Sequence, residues 1–222
     1  MNNNSNNYSK AKTMSKYTYI YLHGFASAPS SFKARYFKNK LDGSKVIIPD
    51  LNQDDFYNLT LSRQIQQVGE IIKDIDGEII VFGSSMGGLT ALLLAEKYPS
   101  ISKLVLMAPA FRMSELWVNG DKARLQEWEQ NGEVSLMHYG YKENKLLSHG
   151  FYQDLFLHDD KNFKRQLPVL NFHGINDDVV PIEFSREYQL THPQSTLIEL
   201  DDNHDLGVSL DFMWDKVSNF CD

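Results

Sequence analysis

The feature that most constrains this chain is a five-residue motif, GSSMG at residues 83–87, set between two apolar runs. The run before it, 79–82, predicts a buried strand, and the run after it, 89–98, predicts a helix. A serine at a sharp strand-to-helix turn has its hydroxyl lifted out of the sheet, and the flanking glycines avoid side-chain clashes there. We therefore predict that Ser85 is a nucleophile. The alternative is a glycine-rich turn that serves only packing; dinucleotide binding is disfavoured because G-x-G-x-x-G is absent.

A nucleophilic serine needs hydrogen-bond donors for the oxyanion that forms when it attacks a carbonyl group. The β-rich run 17–22 ends in His23-Gly24-Phe25, followed by a loop of small residues. We predict that the backbone N–H of Phe25 is one donor and that of Met86, directly after Ser85, the other. His23 is interpreted as a structural residue that orients this loop, because a better-placed base occurs later in the chain.

Further apolar runs at 46–48, 104–108 and 168–172 lack polar alternation, and helical patterns such as 59–75 separate them. Strands of this kind indicate a parallel sheet that is buried on both faces by helices. The sequence thus predicts an α/β fold with a mostly parallel sheet. Functional residues are then expected at the carboxyl ends of the strands.

Residues 110–167 interrupt this rhythm and are predicted to form a helical cap insertion without a clear strand. Its aromatic residues, Trp117 and Trp128 among them, either line a substrate pocket or form the core of the cap. The three histidines of this region are too irregularly spaced for a metal site, and we interpret them as surface or packing residues: His138, His149 and His158.

Candidates for an acid and a base follow the last two strands. Asp177 and Asp178 come shortly after the strand at 168–172, and either could orient an imidazole. His204 lies in a polar loop between the strand at 196–200 and the closing helix at 206–220. The chain order is therefore nucleophile, acid and base, which distinguishes one class of serine enzymes from the others.

With these motifs, residues 17–220 resemble the α/β-hydrolase superfamily. The opening YLHGFASAPSSFKA is similar to that of small bacterial YqiA-type esterases, whereas the cap and HGINDDVVP resemble relatives of the acyl-glucuronide esterase and depalmitoylase. The family pattern H-G-x-x-D-x-x-V-P falls on Asp177, which is the acid that the resemblance implies. Many members have G-D-H around the base, where this chain has Asp202-Asn203-His204.

The resemblance implies hydrolysis of small-molecule esters or thioesters through Ser85, His204 and Asp177, with no cofactor and no metal. Thioesterase or acyltransferase chemistry would use the same triad. A non-catalytic ligand-binding protein on this fold is the alternative of another class.

Composition limits the remaining possibilities. The chain has 222 residues and is 42% hydrophobic, as expected for a single globular domain over 17–222. A net charge of −7 without a Lys/Arg block argues against nucleic-acid binding. Residues 1–16 are rich in Asn, Ser and Lys, so we predict a disordered leader, no membrane span and a cytoplasmic protein. The single cysteine, Cys221, excludes an intramolecular disulfide.

Overall fold

The computed structural model describes residues 16–221, so the predicted leader, apart from Lys16, lies outside the described residues. The strands are β1 (Tyr17–Leu22), β2 (Lys45–Ile47), β3 (Glu78–Ser84), β4 (Ile101–Met107), β5 (Glu133–His138), β6 (Glu143–Ser148), β7 (Val169–Gly174) and β8 (Ser195–Leu200). The helices are α1 (Phe32–Lys40), α2 (Leu61–Lys73), α3 (Met86–Lys97), α4 (Met113–Asn119), α5 (Lys122–Asn131), α6 (Gly150–Leu155), α7 (Ile182–Thr191) and α8 (Leu210–Cys221).

Six of these strands form one parallel sheet in the order β2-β1-β3-β4-β7-β8. The register pairs Gly83 of β3 with Leu22 on one side and Leu106 on the other. The carboxyl ends of the central strands are therefore level with one another. Loops that leave these ends meet at a single edge of the sheet, as predicted.

Both faces of the sheet are buried, which explains the missing polar alternation. In β1, Ile20 and Leu22 pack in the core that includes residues of α2 and α3. Tyr19 and Tyr21 pack in a second core, which includes residues of α1 and α8. Since successive side chains of a strand point to opposite faces, an apolar strand needs helices on both sides.

Two of the helices that cover the sheet, α1 and α2, begin at residues with side-chain caps. Ser31 Oγ accepts a hydrogen bond from Ala34 N–H at the start of α1, and Thr60 Oγ1 accepts one from Arg63 N–H at the start of α2. Among residues 16–221, no helix has the length and apolar character needed to cross a membrane.

The prediction of an insertion without strands is wrong. Between β4 and β7 the chain forms α4, α5 and α6 together with an antiparallel hairpin of β5 and β6. Val134 and Leu136 of β5 are half-buried, whereas the alternate residues Ser135 and Met137 are exposed. The alternation in β5 is short, and β6 begins with three polar residues. Both segments therefore become strands only through pairing with each other and packing against the rest of the protein.

Candidate active site

Ser85 lies at the turn from β3 to α3, at a backbone conformation (φ 53°, ψ −120°) that an L-residue rarely adopts. The turn is closed by tight contacts at its glycines. A Cβ on Gly83 would lie 2.6 Å from Gly88 Cα, and a Cβ on Gly87 would lie 2.6 Å from the carbonyl oxygen of His23. The spacing of glycines around Ser85 therefore follows from the space that this turn leaves.

The structure brings the three predicted residues Ser85, His204 and Asp177 together. His204 Nε2 is 3.0 Å from Ser85 Oγ, and His204 Nδ1 is 2.8 Å from Asp177 Oδ2. Because a carboxylate can only accept, Nδ1 carries the proton and donates to Asp177. Nε2 is then the unprotonated nitrogen, which accepts a hydrogen bond from the Ser85 hydroxyl.

The Asp177 carboxylate is completely buried, with 0% of its side chain exposed. Oδ1 accepts hydrogen bonds from the backbone N–H groups of Val179 (2.9 Å) and Val180 (2.8 Å). Burial by itself would raise the pKa of Asp177, but hydrogen bonds from His173, His204 and Val180 outweigh it and hold the pKa far below its usual range. Asp177 is therefore an anion at neutral pH.

The neighbouring acid, Asp178, is exposed and makes no hydrogen bond among the described residues. The residues alone allowed either aspartate to orient the imidazole, and the structure brings Asp177 to His204.

His23 is buried (1% exposed) and holds loops in place, in line with the structural role predicted for it. Its Nε2 accepts a hydrogen bond from Leu51 N–H (3.1 Å), so Nδ1 carries the proton and donates to the Gly24 carbonyl (2.9 Å).

A buried chain of hydrogen bonds continues behind Asp177, and no sequence pattern predicted it. His173 Nε2 lies 3.1 Å from Asp177 Oδ2 and 2.9 Å from the Val180 carbonyl, both acceptors, so this nitrogen carries a proton. His173 Nδ1 then accepts from the Ser185 hydroxyl (2.7 Å), which in turn accepts from the Asn171 amide (3.0 Å). Asn171, His173 and Ser185 are all 0% exposed. The only sequence signal was the histidine that opens the HGINDDVVP stretch.

The loop that carries His204 is held by Asp202, another residue not identified from sequence. Its Oδ1 accepts from Asn203 N–H, and its Oδ2 accepts from Val208 N–H and from both the N–H and the hydroxyl of Ser209. Asn203, which stands where the family pattern has aspartate, uses its side-chain oxygen to accept from Asp205 N–H (2.9 Å). The departure from the pattern is thus accommodated within the turn itself.

The two predicted oxyanion donors flank Ser85. Met86 is the first residue of α3, so its N–H belongs to the helix N-terminus, where N–H groups lack partners within the helix. The N–H of Phe25 donates no hydrogen bond to another described residue. The loop before it lies close to Ser85, since a Cβ on Gly24 would be 3.3 Å from Ser85 Cβ. The roles of both donors remain predictions.

An apolar cavity of about 340 Å³ opens beside Ser85. Its walls come from the β1 loop, from the insertion and from the β7 loop: Phe25, Ala110, Met113, Leu116, Trp117, Gly120, Asp121, Arg124, Leu125, Trp128, Val134, Leu136, Val179 and Val180. Trp117 and Trp128 also pack on each other, with ring centroids 5.2 Å apart. The two roles considered for these aromatics therefore coincide, because the core of the insertion is also a wall of the cavity.

A wider groove of about 910 Å³, with more polar lining than the cavity, also borders Ser85. It is lined by His204 and Ser85 together with residues of the β1 loop, α1 and the hairpin turn, including Ser30, Lys33, Arg35 and Lys142. Ser85 and its neighbours Phe25 and Val179 border both spaces, so a molecule bound at Ser85 can extend into each.

The histidines of the insertion are separate from one another. His138 stacks on Tyr141 (ring centroids 4.0 Å apart), and His149 packs edge-on against Trp128 (5.6 Å). His158 Nε2 is hydrogen-bonded to Ser62 Oγ (2.9 Å). Within the part of the chain that the structure describes, no three His, Cys, Asp or Glu side chains are grouped so as to hold a metal ion.

Solved structures of other proteins share this fold over most of their length. Est1E from Butyrivibrio proteoclasticus, solved with ferulic acid bound, is 22% identical and covers 95% of this chain and 90% of its own, with a TM-score of 0.80. Alpha/beta hydrolase domain-containing protein 10 from mouse is 20% identical, covers 91% and 88%, and has a TM-score of 0.76. Monoacylglycerol lipase from Paleococcus ferrophilus is 17% identical, covers 94% and 95%, and has a TM-score of 0.72.

At these identities the likeness shows the fold, which is the α/β-hydrolase fold of esterases and lipases, and it confirms the predicted fold class. Comparison with curated protein sequences gives no match. A family match, in contrast, covers nearly all of the chain, from the second residue of β1 into α8. The chain belongs to the Uncharacterised protein family (UPF0227), which it matches over residues 18–220.

Proposed function

We propose that this protein is a serine hydrolase that cleaves carboxylic esters through an acyl-enzyme. The observation that carries the proposal is the position of His204, with one ring nitrogen 2.8 Å from a buried carboxylate and the other 3.0 Å from Ser85 Oγ. An Oγ at a strained turn, hydrogen-bonded to a base whose tautomer is set by an acid, is the arrangement that activates a serine.

In the first half of the reaction, His204 Nε2 takes the proton of Ser85 as Oγ attacks the ester carbonyl. The N–H groups of Phe25 and Met86 stabilise the oxyanion, and Asp177 stabilises the imidazolium. The bond from the carbonyl carbon to the alcohol oxygen then breaks, and His204 gives its proton to the departing oxygen.

In the second half, water attacks the acyl-enzyme. His204 takes a proton from that water, the bond between the acyl carbon and Ser85 Oγ breaks, and Oγ recovers the proton from His204. The products are one carboxylic acid and one alcohol, and Ser85 returns to its starting state. The mechanism therefore balances without a cofactor or metal ion.

Two further observations support an ester as the substrate. The cavity beside Ser85 is walled mainly by apolar side chains and would accommodate an apolar acyl chain. The fold is shared with Est1E and a monoacylglycerol lipase, and the sequence resembles YqiA-type esterases and acyl-glucuronide esterase relatives. A thioester, or acyl transfer to another alcohol, would use the same triad and differs only in the groups that leave and enter.

The test is hydrolysis of p-nitrophenyl esters from acetate to palmitate, with matched acyl thioesters in parallel and Ser85→Ala as the blank. We expect turnover that disappears in Ser85→Ala, together with labelling of Ser85 by a fluorophosphonate, located by mass spectrometry. The chain-length optimum would report the size of the apolar cavity. Equal activity in Ser85→Ala and the wild type would refute the assignment, and saturable ester binding without turnover or labelling would favour a binding protein on this fold.

A further inference from the structure

The groove beside Ser85 contains a buried lysine whose Nζ has no hydrogen-bond or ion-pair partner in the described part of the chain. Lys33, on α1, is only 8% exposed, yet its side chain borders the groove together with Ser85 and His204. Among residues 16–221, its Nζ makes no hydrogen bond and no ion pair, and it lies 5.8 Å from the centroid of the Phe32 ring. Buried ammonium groups are normally paired, because removing a charge from water is costly. A lysine that is largely buried and unpaired beside an open groove is therefore a position for an anion.

The charged residues that line the groove sum to one positive charge, which is that of Lys33, because the others cancel. Three cations line it, Lys33, Arg35 and Lys142, against two carboxylates, Asp178 and Asp205. The other four side chains are all exposed and screened by solvent, whereas the Lys33 residue is only 8% exposed. This local excess stands out in a chain whose net charge is −7.

The position of His204 shows which part of an ester would lie there. His204 borders the groove and is not among the residues that wall the apolar cavity. As general acid, it must reach the oxygen of the leaving alcohol. The alcohol half of the substrate therefore extends into the groove, and the acyl half occupies the cavity.

The titration behaviour of Lys33 is consistent with a missing partner. Burial lowers the pKa of Lys33 to about 8, and the opposing effect of the carboxylates of Asp205, Asp177 and Asp202 is too weak to restore it. The protein itself thus compensates only part of the desolvation of this ammonium group, and a bound anion would compensate more.

We propose that Lys33 binds an anionic oxygen group, a carboxylate or a phosphate, on the alcohol half of the substrate. Lys33 is then a specificity-determining residue that selects esters of negatively charged alcohols. This inference rests on the proposed function, because the hydrolytic mechanism is what assigns the alcohol half to the groove.

The kinetic test compares the butyrate esters of 3-hydroxybenzoate and 3-hydroxybenzamide, which differ mainly in the charge of the leaving group. We expect kcat/KM to favour the charged ester in the wild type by about tenfold to a hundredfold. In Lys33→Met, which preserves length and removes the charge, that ratio should fall to near one. Lys38→Met is the matched control, since Lys38 is an exposed residue of the same helix and should leave the ratio unchanged. A ratio that is the same in Lys33→Met as in the wild type overturns the inference.

A second test does not depend on turnover. Calorimetry with the Ser85→Ala protein would measure binding of 3-hydroxybenzoate and 3-hydroxyphenyl phosphate, with 3-hydroxybenzamide as the neutral reference. At least one anion should bind tenfold or more tightly than the amide, and Lys33→Met in the same background should abolish that preference. The tighter of the two anions distinguishes a carboxylate from a phosphate. If Lys33→Met does not melt cooperatively and is therefore not folded, Lys33→Gln takes its place in both tests.

The two tests separate the inference from the proposed function. If the protein hydrolyses esters but the ratio of kcat/KM for the charged and the neutral ester does not depend on Lys33, the anion site is overturned and the proposed hydrolase stays in place. Anion binding that requires Lys33, without turnover of any ester, would overturn the hydrolase and leave the anion site. Absence of binding by both anions overturns the inference.

Discussion

Replacing Asp177 by asparagine changes one atom, and the surroundings of that side chain predict its effect. The amide must turn its oxygen toward the N–H groups of Val179 and Val180, because both can only donate. Its NH₂ group then faces His204 Nδ1, which is 2.8 Å from Asp177 Oδ2 in the native protein. A donor at that position forces the proton of His204 onto Nε2, which faces Ser85. The base is then already protonated where it should accept.

The magnitude follows from comparable serine triads, where the wrong histidine tautomer lowers kcat by about 10⁴-fold. At about 1.4 kcal/mol per factor of ten, this corresponds to a rise of about 5.5 kcal/mol in the activation free energy. The assay is p-nitrophenyl ester hydrolysis near neutral pH, with the Ser85→Ala rate subtracted. KM should change little, because Asp177 does not line the apolar cavity or the groove.

Asp178→Asn is the matched control, since it makes the same substitution at an exposed neighbour that bonds to no described residue. We expect its kcat to stay within a factor of about three of the wild type, as for surface changes that remove no interaction. The reasoning is refuted if Asp177→Asn keeps more than a tenth of the wild-type kcat, or if Asp178→Asn causes the greater loss.

Three further predictions concern the structures that support the site. Gly87→Ala places a Cβ against the carbonyl oxygens of Leu22 and His23, so the free energy of unfolding, measured in urea, should fall by about 3 kcal/mol. Gly150→Ala is the control and should leave the free energy of unfolding unchanged, because its Cβ would meet only Ser148 Oγ at 3.4 Å. Ser185→Ala leaves the buried Asn171 amide and His173 Nδ1 without the hydroxyl that joins them, so the free energy of unfolding should fall by about 1–3 kcal/mol; an unchanged urea midpoint would contradict this. The pKa of Asp177 is lower in the folded protein than in the unfolded chain, so its stabilising effect is present above pH 4 and is lost as the pH falls. The stability of the wild type should therefore decrease more steeply between pH 5 and pH 3 than that of Asp177→Asn; parallel curves would contradict that linkage.

Several parts of the fold and site could be predicted from sequence because they depend on local patterns. Apolar runs without alternation indicated a parallel sheet, and glycines on both sides of Ser85 indicated a tight strand-to-helix turn. Since parallel strands end at the same edge, residues after three such strands were expected to meet. The structure brings Ser85, Asp177 and His204 together there, and their catalytic roles stay a proposal.

Other features depend on neighbours that are distant in the chain. The β5–β6 hairpin was missed because its alternation is too short to indicate a strand before the two segments pair. The chain from Asn171 through Ser185 to His173 links β7 to α7, and nothing in the sequence marks Ser185 as a partner of His173.

Lys33 shows the difference most clearly, because in the sequence it is one of several lysines in an amphipathic helix. The burial of this residue, the absence of an ion pair to its Nζ among the described residues and its place in the groove beside Ser85 are properties of the packed protein. Local sequence thus determined the strands, the turn at Ser85 and the order of the candidate triad, since backbone conformation and side-chain periodicity are short-range. The tertiary structure alone decided which polar groups are buried and which are paired, because burial and pairing depend on distances between residues far apart in the chain.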